Sequence, residues 1–315
     1  MSRIHEALKK AEQERLASQS DRQSRPGLGE PEKHAASSRT VEIAPEPEMA
    51  TPSAGFLASG PDTESAVLPF DELKAKCIES AWNSDPKVQL FSGADPFAPG
   101  AEQFRTLRSR LYRIRESQPL HVLLVTSAMP AEGKTLVSAN LAKVLAQQRG
   151  CKVLLIEADL RAPRQCALLG VPAGPGLVDY LQGTASESDV IQKSRENDLY
   201  FIQAGVHISH PAELISNGKF KKLLTRVAGL FDWIIIDSPP ILPVSDAAVL
   251  SVLCDGVLMV VRAGTTPAEV SQRACQELGG AQIVGVVLNG VDKSAAGGSY
   301  YQYGYGQDVS KNSQK

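Results

Sequence analysis

Cysteines at metal-ligand spacing are missing from this chain: its five, Cys77, Cys151, Cys166, Cys254 and Cys275, are scattered along it. That scatter excludes a zinc-ribbon framework, and the apolar flanks of Cys151 and Cys254 mark them as small core residues. A basic excess is missing too. Lys and Arg number 33 against 35 Asp and Glu, a net charge of −2, so no global field points to nucleic acid as a partner. No apolar run approaches the roughly 18 residues of a membrane span, and the first residues do not read as a signal peptide. A cytoplasmic setting is expected, and 315 residues allow about two average domains.

What is present is concentrated in the run TSAMPAEGKTLVSANLA, from Thr126 to Ala142. It follows an apolar, strand-like run (His121 to Val125) and opens a helix-like one carrying Leu136, Ala139, Ala142, Val144 and Leu145. Gly133-Lys134-Thr135 therefore falls where a strand turns into a helix, the context that gives a phosphate-binding loop its meaning. Backbone N–H groups of Ala131, Glu132, Gly133, Lys134, Thr135 and Leu136, backed by the helix dipole, suit polyphosphate oxygens. Lys134 would reach the outer phosphates and the Thr135 hydroxyl would ligate Mg²⁺. The first glycine of the usual pattern is replaced by Ala128.

Composition changes near residue 100. Ten of the chain's 20 prolines lie between residues 20 and 100, among many Ser, Ala and Glu. Such a segment buries too little apolar surface to offset its ordering entropy, so 19–97 is expected to be a disordered linker. Short apolar islands within it, Ala66-Val67-Leu68 and Val88 to Phe91, could dock on the domain. Before it, residues 1–18 can form an amphipathic helix capped by Ser2, either solvated or a docking helix for a partner or membrane surface.

From 98 to 292 the pattern alternates. Strands are expected at 121–127, 152–158, 199–204, 232–237, 256–262 and 282–289, and helices at 134–148, 176–182, 211–229, 245–252 and 267–278. Most strand runs are continuously apolar, as in Trp233-Ile234-Ile235-Ile236. Unbroken apolar strands separated by helices predict an α/β fold, a single P-loop domain whose mostly parallel sheet is covered on both faces. Ligands of such sheets bind at the carboxyl ends of the strands.

Two strands end in acids. Asp237 closes the strand Trp233 to Ile236, where it would hold Mg²⁺ directly or through water, and Glu157 and Asp159 close the strand Val153 to Ile156. Any one of them alone could be a turn cap. Two further features stand out. Glu102, Arg105 and Arg108 fall at i, i+3 and i+6, compatible with an exposed helical face carrying local ion pairs. Four of seven tyrosines, Tyr300, Tyr301, Tyr303 and Tyr305, sit in a glycine-rich tail, 293–315, that cannot easily pack them as a core.

Together the phosphate loop, the EADLR and DSPP strand ends, the E-x-x-R-x-x-R spacing and the SYYQYGYG tail resemble the bacterial tyrosine kinases of polysaccharide export, a branch of the deviant P-loop ATPases. The resemblance covers roughly residues 98 to 306. It implies a tyrosine autokinase dependent on ATP and Mg²⁺, with Lys134, Glu157, Asp159 and Asp237 catalytic and Thr135, Asp159 and Asp237 at the metal. It implies a homo-oligomer contact at Glu102, Arg105 and Arg108, and phosphoacceptors at Tyr300, Tyr301, Tyr303 and Tyr305. It also implies an inner-membrane chain-length regulator as activator, a tyrosine phosphatase as antagonist, and control of capsule or exopolysaccharide synthesis.

Glu157 stands where the resemblance implies an aspartate that deprotonates the acceptor, so Asp159 could share that role. Met129 stands where partition-type relatives carry a lysine, which argues against that branch. The resemblance places Arg262 and Asn289 near the adenine; read alone, they could cap a strand end and fill a turn. Asp246 could couple the metal site to subunit contacts or cap the helix that follows it. The rival readings are a positioning ATPase that works as a dimerisation switch, and an ATP-sensing scaffold phosphorylated by another kinase.

Overall fold

The computed structural model describes residues 69–84 and 100–291. In chain order it forms α1 (Phe70–Lys76), β1 (Ile78–Ser80), α2 (Ala101–Ser117), β2 (Val122–Ser127), α3 (Lys134–Ala146), β3 (Val153–Glu157) and α4 (Gln165–Leu169). There follow α5 (Leu177–Gln182), α6 (Glu187–Val190), β4 (Ile191–Ser194), β5 (Leu199–Ile202), α7 (Pro211–Ser216) and α8 (Lys219–Val227). The last elements are β6 (Trp233–Asp237), α9 (Asp246–Ser251), β7 (Gly256–Arg262), α10 (Ala268–Glu277) and β8 (Ile283–Asn289). The eight strands make one sheet in the order β1-β4-β5-β3-β6-β2-β7-β8, parallel throughout except between β4 and β5.

The expected parallel α/β sheet is present, and its two faces carry separate apolar clusters. Along β6, Ile234 and Ile236 enter one cluster while Trp233 and Ile235 enter the other. Side chains that alternate between two buried faces require apolar residues at every position, which is why these strands read as unbroken hydrophobic runs. The helix expected over 211–229 is two: α7 ends at Ser216 and Gly218 takes φ +82°, a left-handed turn that glycine adopts without strain.

Part of the expected linker is folded domain instead. Phe70 and Leu73 of α1 and Cys77 just after it recur at i, i+3 and i+7, and Leu73 is wholly buried. The Phe70 ring packs edge-on against Tyr200 and Phe231, with centroids 5.9 and 6.1 Å away. β1 then extends the sheet beside β4, and Glu79 pairs with Lys193 at 3.0 Å. Seven helical residues are too short a signal to show against a proline-rich background, and only packing on β5 makes them stable. The expectations for 1–18, the rest of 19–97 and the tail 293–315 lie outside the described residues.

Candidate active site

β2 lies in the middle of the sheet between β6 and β7, and every one of its residues is buried. The loop 128–133 leaves its carboxyl end and enters α3, which is buried over most of its length. Ala131 takes φ +64° and Gly133 φ +97°. A Cβ on Gly133 would lie 1.9 Å from Asn289 Nδ2, so this position requires glycine for space as well as for conformation. Lys134 and Thr135 are the first residues of α3. Gln165 Nε2 donates to the Thr135 carbonyl (3.1 Å) and to Ser138 Oγ (2.6 Å), fixing the first turn from the α4 side. Nothing in the sequence singled out Gln165, because its partners lie 27 and 30 positions away.

The register of β3 and β6 sets Glu157 opposite Asp237, and β6 sets Asp237 beside Val125 of β2. Lys134, Asp159 and Asp237 meet there. Lys134 Nζ lies 2.7 Å from Asp159 Oδ2 and 3.4 Å from Thr135 Oγ1. Among the described residues no donor meets either buried carboxylate oxygen of Asp237 in good hydrogen-bond geometry, although the Thr135 hydroxyl lies close enough to favour its ionised form. Burial raises its carboxyl to about 7, against the pull of the Lys134 ammonium.

Glu157 is placed otherwise than expected for a catalytic base. Its Oε1 accepts from the Gln165 backbone N–H, and its Oε2 accepts from that of Ala204 at 3.1 Å. Burial pushes its carboxyl above the usual carboxylate range, while these backbone donors pull it back. Both oxygens are thus committed to pinning α4 and the end of β5.

Arg262 and Asn289 are paired across β7 and β8, and both side chains turn to the phosphate loop. Asn289 Nδ2 donates to the Glu132 carbonyl at 2.8 Å, and Arg262 Nη1 donates to the Ala131 carbonyl at 3.4 Å. Met129 is 42% exposed on the same loop. Asp246 is fully buried and bound by Arg161, so it serves an ion pair with the loop after β3.

On α2, Glu102 and Arg105 form an exposed ion pair at 3.1 Å. Arg108 Nη1 donates to the Val144 carbonyl at 2.8 Å, tying α2 to the last turn of α3. The four tail tyrosines lie outside the described residues.

A hard divalent cation suits this corner. Asp237 supplies two unpartnered buried oxygens, Asp159 a second carboxylate, and Thr135 a hydroxyl. No group of three His, Cys, Asp or Glu side chains that could hold a metal occurs among the described residues, so an ion there would complete its shell with phosphate and water oxygens, as Mg²⁺ does. No helix among the described residues is long and apolar enough to cross a membrane.

A family model described as an AAA domain matches residues 130–271. Tyrosine-protein kinase YwqD of Bacillus subtilis (strain 168) is 35% identical over 213 residues, 67% of this chain and 88% of the relative. Putative tyrosine-protein kinase EpsB of Ralstonia nicotianae is 34% identical over 243 residues, 76% of this chain but only 32% of the relative. The kinase domain of Escherichia coli tyrosine kinase ETK superposes with a TM-score of 0.62 at 36% identity, covering 70% of this chain and 86% of that one. With the strand–loop–helix, the Lys134–Asp159 pair and the buried Asp237 assembled at one sheet end, this chain belongs to the bacterial tyrosine-protein kinases.

Proposed function

We propose that this kinase uses Mg²⁺-bound ATP to phosphorylate Tyr300, Tyr301, Tyr303 and Tyr305 on a neighbouring copy of itself, and thereby regulates capsule or exopolysaccharide synthesis and export. The observation that carries the reading is the Lys134–Asp159 contact of 2.7 Å beside the unpartnered Asp237 carboxylate. When bound, Mg²⁺-ATP supplies the transferable phosphoryl group and the cation that neutralises its charge. The loop N–H groups and the Lys134 ammonium orient the phosphates, with Thr135 and Asp237 holding the cation side. Asp159 Oδ2 pairs with Lys134 in the free protein. Once Lys134 turns to phosphate, that oxygen is free to accept the acceptor phenol proton. A base helps because a tyrosine of pKa about 10 is only about 0.1% ionised at neutral pH. Asp159 Oδ1 accepts from the Ala162 backbone N–H at 3.1 Å, but its Oδ2 is held only by the movable Lys134, whereas both oxygens of Glu157 are held by backbone donors, so Asp159 suits this role better.

The chain from Asn289 to Tyr305 could span about 50 Å if extended, enough to reach an adjacent site. Glu102 and Arg105 on α2 are candidates for the contact between copies, with Arg108 already engaged within its own chain. An inner-membrane chain-length regulator as activator and a tyrosine phosphatase as antagonist complete this reading. The test mixes Lys134→Met protein, which keeps its tyrosines, with an otherwise intact variant carrying Phe at 300, 301, 303 and 305. Radiolabel from γ-labelled ATP on the Lys134→Met chain is expected. No label despite demonstrated co-assembly would exclude transfer between copies.

A further inference from the structure

Glu132 precedes Gly133 in the phosphate-binding loop, a position where a solvated side chain would be unremarkable, yet it is 2% exposed. Its carboxylate is shared between two parts of the chain. Oε2 accepts from the Met129 backbone N–H, across the loop itself, at 2.7 Å. Oε1 accepts from the Arg262 backbone N–H at 3.3 Å and from the Thr266 hydroxyl, both in the segment where β7 ends. The Glu132 carbonyl accepts from Asn289 Nδ2 at 2.8 Å, at the end of β8. One residue of the loop is therefore tied to itself, to β7 and to β8.

An anionic side chain buried beside a polyphosphate site works against the ligand unless it secures something the ligand needs. What these contacts secure is the loop's shape. Ala131, the residue before Glu132, is held at φ +64°, which a non-glycine residue adopts only when its surroundings impose it. Gly133, the residue after, is packed so tightly on Asn289 that no Cβ fits. A strained alanine and a closely packed glycine flank the braced residue.

We propose that Glu132 is a positioning residue that braces the phosphate-binding loop, its carboxylate against the end of β7 and the turn after it and its carbonyl against the end of β8, so that the loop holds its phosphate-receiving form before any nucleotide arrives. This rests on the nucleotide-binding reading of the same loop. The groups that hold the brace lie outside the loop, Arg262 and Asn289 at the ends of β7 and β8 and Thr266 in the turn before α10, so displacing them should be felt by the phosphates.

The test combines amide hydrogen exchange on the nucleotide-free protein with titration of Mg²⁺-ADP into the full chain. In Glu132→Gln the carboxamide keeps its size but presents an N–H to Met129 or to Arg262, setting donor against donor. Exchange at Met129 and Arg262 should accelerate at least tenfold, and ADP should bind about tenfold more weakly. Thr266→Val removes one donor and should weaken binding several-fold, whereas Thr266→Ser, which keeps the hydroxyl, should restore it. A residue serving stability alone would lower the melting temperature of these variants without this split in affinity. Wild-type exchange and wild-type ADP affinity in Glu132→Gln would overturn the brace. Should that variant fail to fold, equal affinity in Thr266→Val and Thr266→Ser would overturn it instead. Absence of ADP binding by the wild-type protein would refute the nucleotide reading itself, which the exchange measurement leaves separate.

Discussion

Arg161 grips Asp246 with two parallel hydrogen bonds, Nε to Oδ2 at 2.8 Å and Nη2 to Oδ1 at 2.9 Å. Arg161 belongs to the loop after β3 that carries Asp159, and Asp246 opens α9 beyond the proline-rich turn after Asp237. The pair therefore locks together the two strand ends that bring acids to the site. Asp246 is fully buried while Arg161 is 40% exposed, so the carboxylate depends on the guanidinium more than the reverse. Arg161→Ala should destabilise the protein by about 2 kcal/mol, between the values typical of exposed and of buried pairs. Arg161→Lys should recover only part of this, because an ammonium cannot make the forked contact. Urea unfolding of the two variants against wild type checks both statements.

Glu157→Asp is the substitution that would restore an aspartate at the end of β3. With the backbone N–H groups of Gln165 and Ala204 as the partners of Glu157, the shorter side chain loses one or both bonds and leaves buried donors unpaired. The expected result is a loss of about 1–3 kcal/mol in stability and no gain in rate. A faster enzyme of unchanged melting temperature would return Glu157 to the role of base.

Leu73 tests whether the α1–β1 segment is part of the domain. It is wholly buried in the same apolar cluster as Tyr200 and Phe231. Leu73→Ala should cost about 2–4 kcal/mol in a single cooperative unfolding transition. A wild-type midpoint would show that residues 69–84 contribute nothing to the core.

Lys143 gives a pH signature away from the catalytic residues. It is buried in α3 with its Nζ 3.4 Å from Ser84 Oγ, and burial pushes its ammonium down to about 8, against the pull of Glu196. In the unfolded chain the same group titrates near 10.5. Between these values the folded state binds fewer protons, so stability rises as pH rises from about 8 towards 10.5 and the burial penalty is full below 8. Lys143→Met should therefore stabilise the protein near neutrality by up to about 2 kcal/mol, a gain that fades towards pH 10. Melting temperatures of both proteins across that range check the sign.

The phosphate loop, the parallel sheet and the acids at the ends of β3 and β6 were legible in the sequence because each is a local pattern. An apolar strand, a Gly-Lys-Thr and a helix start are neighbours along the chain, and continuous apolar strands follow directly from burial on two faces. What the side chains at those positions do was not local. Glu157 and Asp159 are two residues apart at one strand end, yet one is bound by backbone donors of α4 and β5 and the other by Lys134. Glu132 is braced by residues 130 and 134 positions away, and the seven-residue α1 is stable only against rings of β5 and β6's approach. Periodicity along a chain reports which face of an element is buried. Which hydrogen-bond donor meets a buried carboxylate depends on distant segments arriving together, and only the tertiary structure decides that.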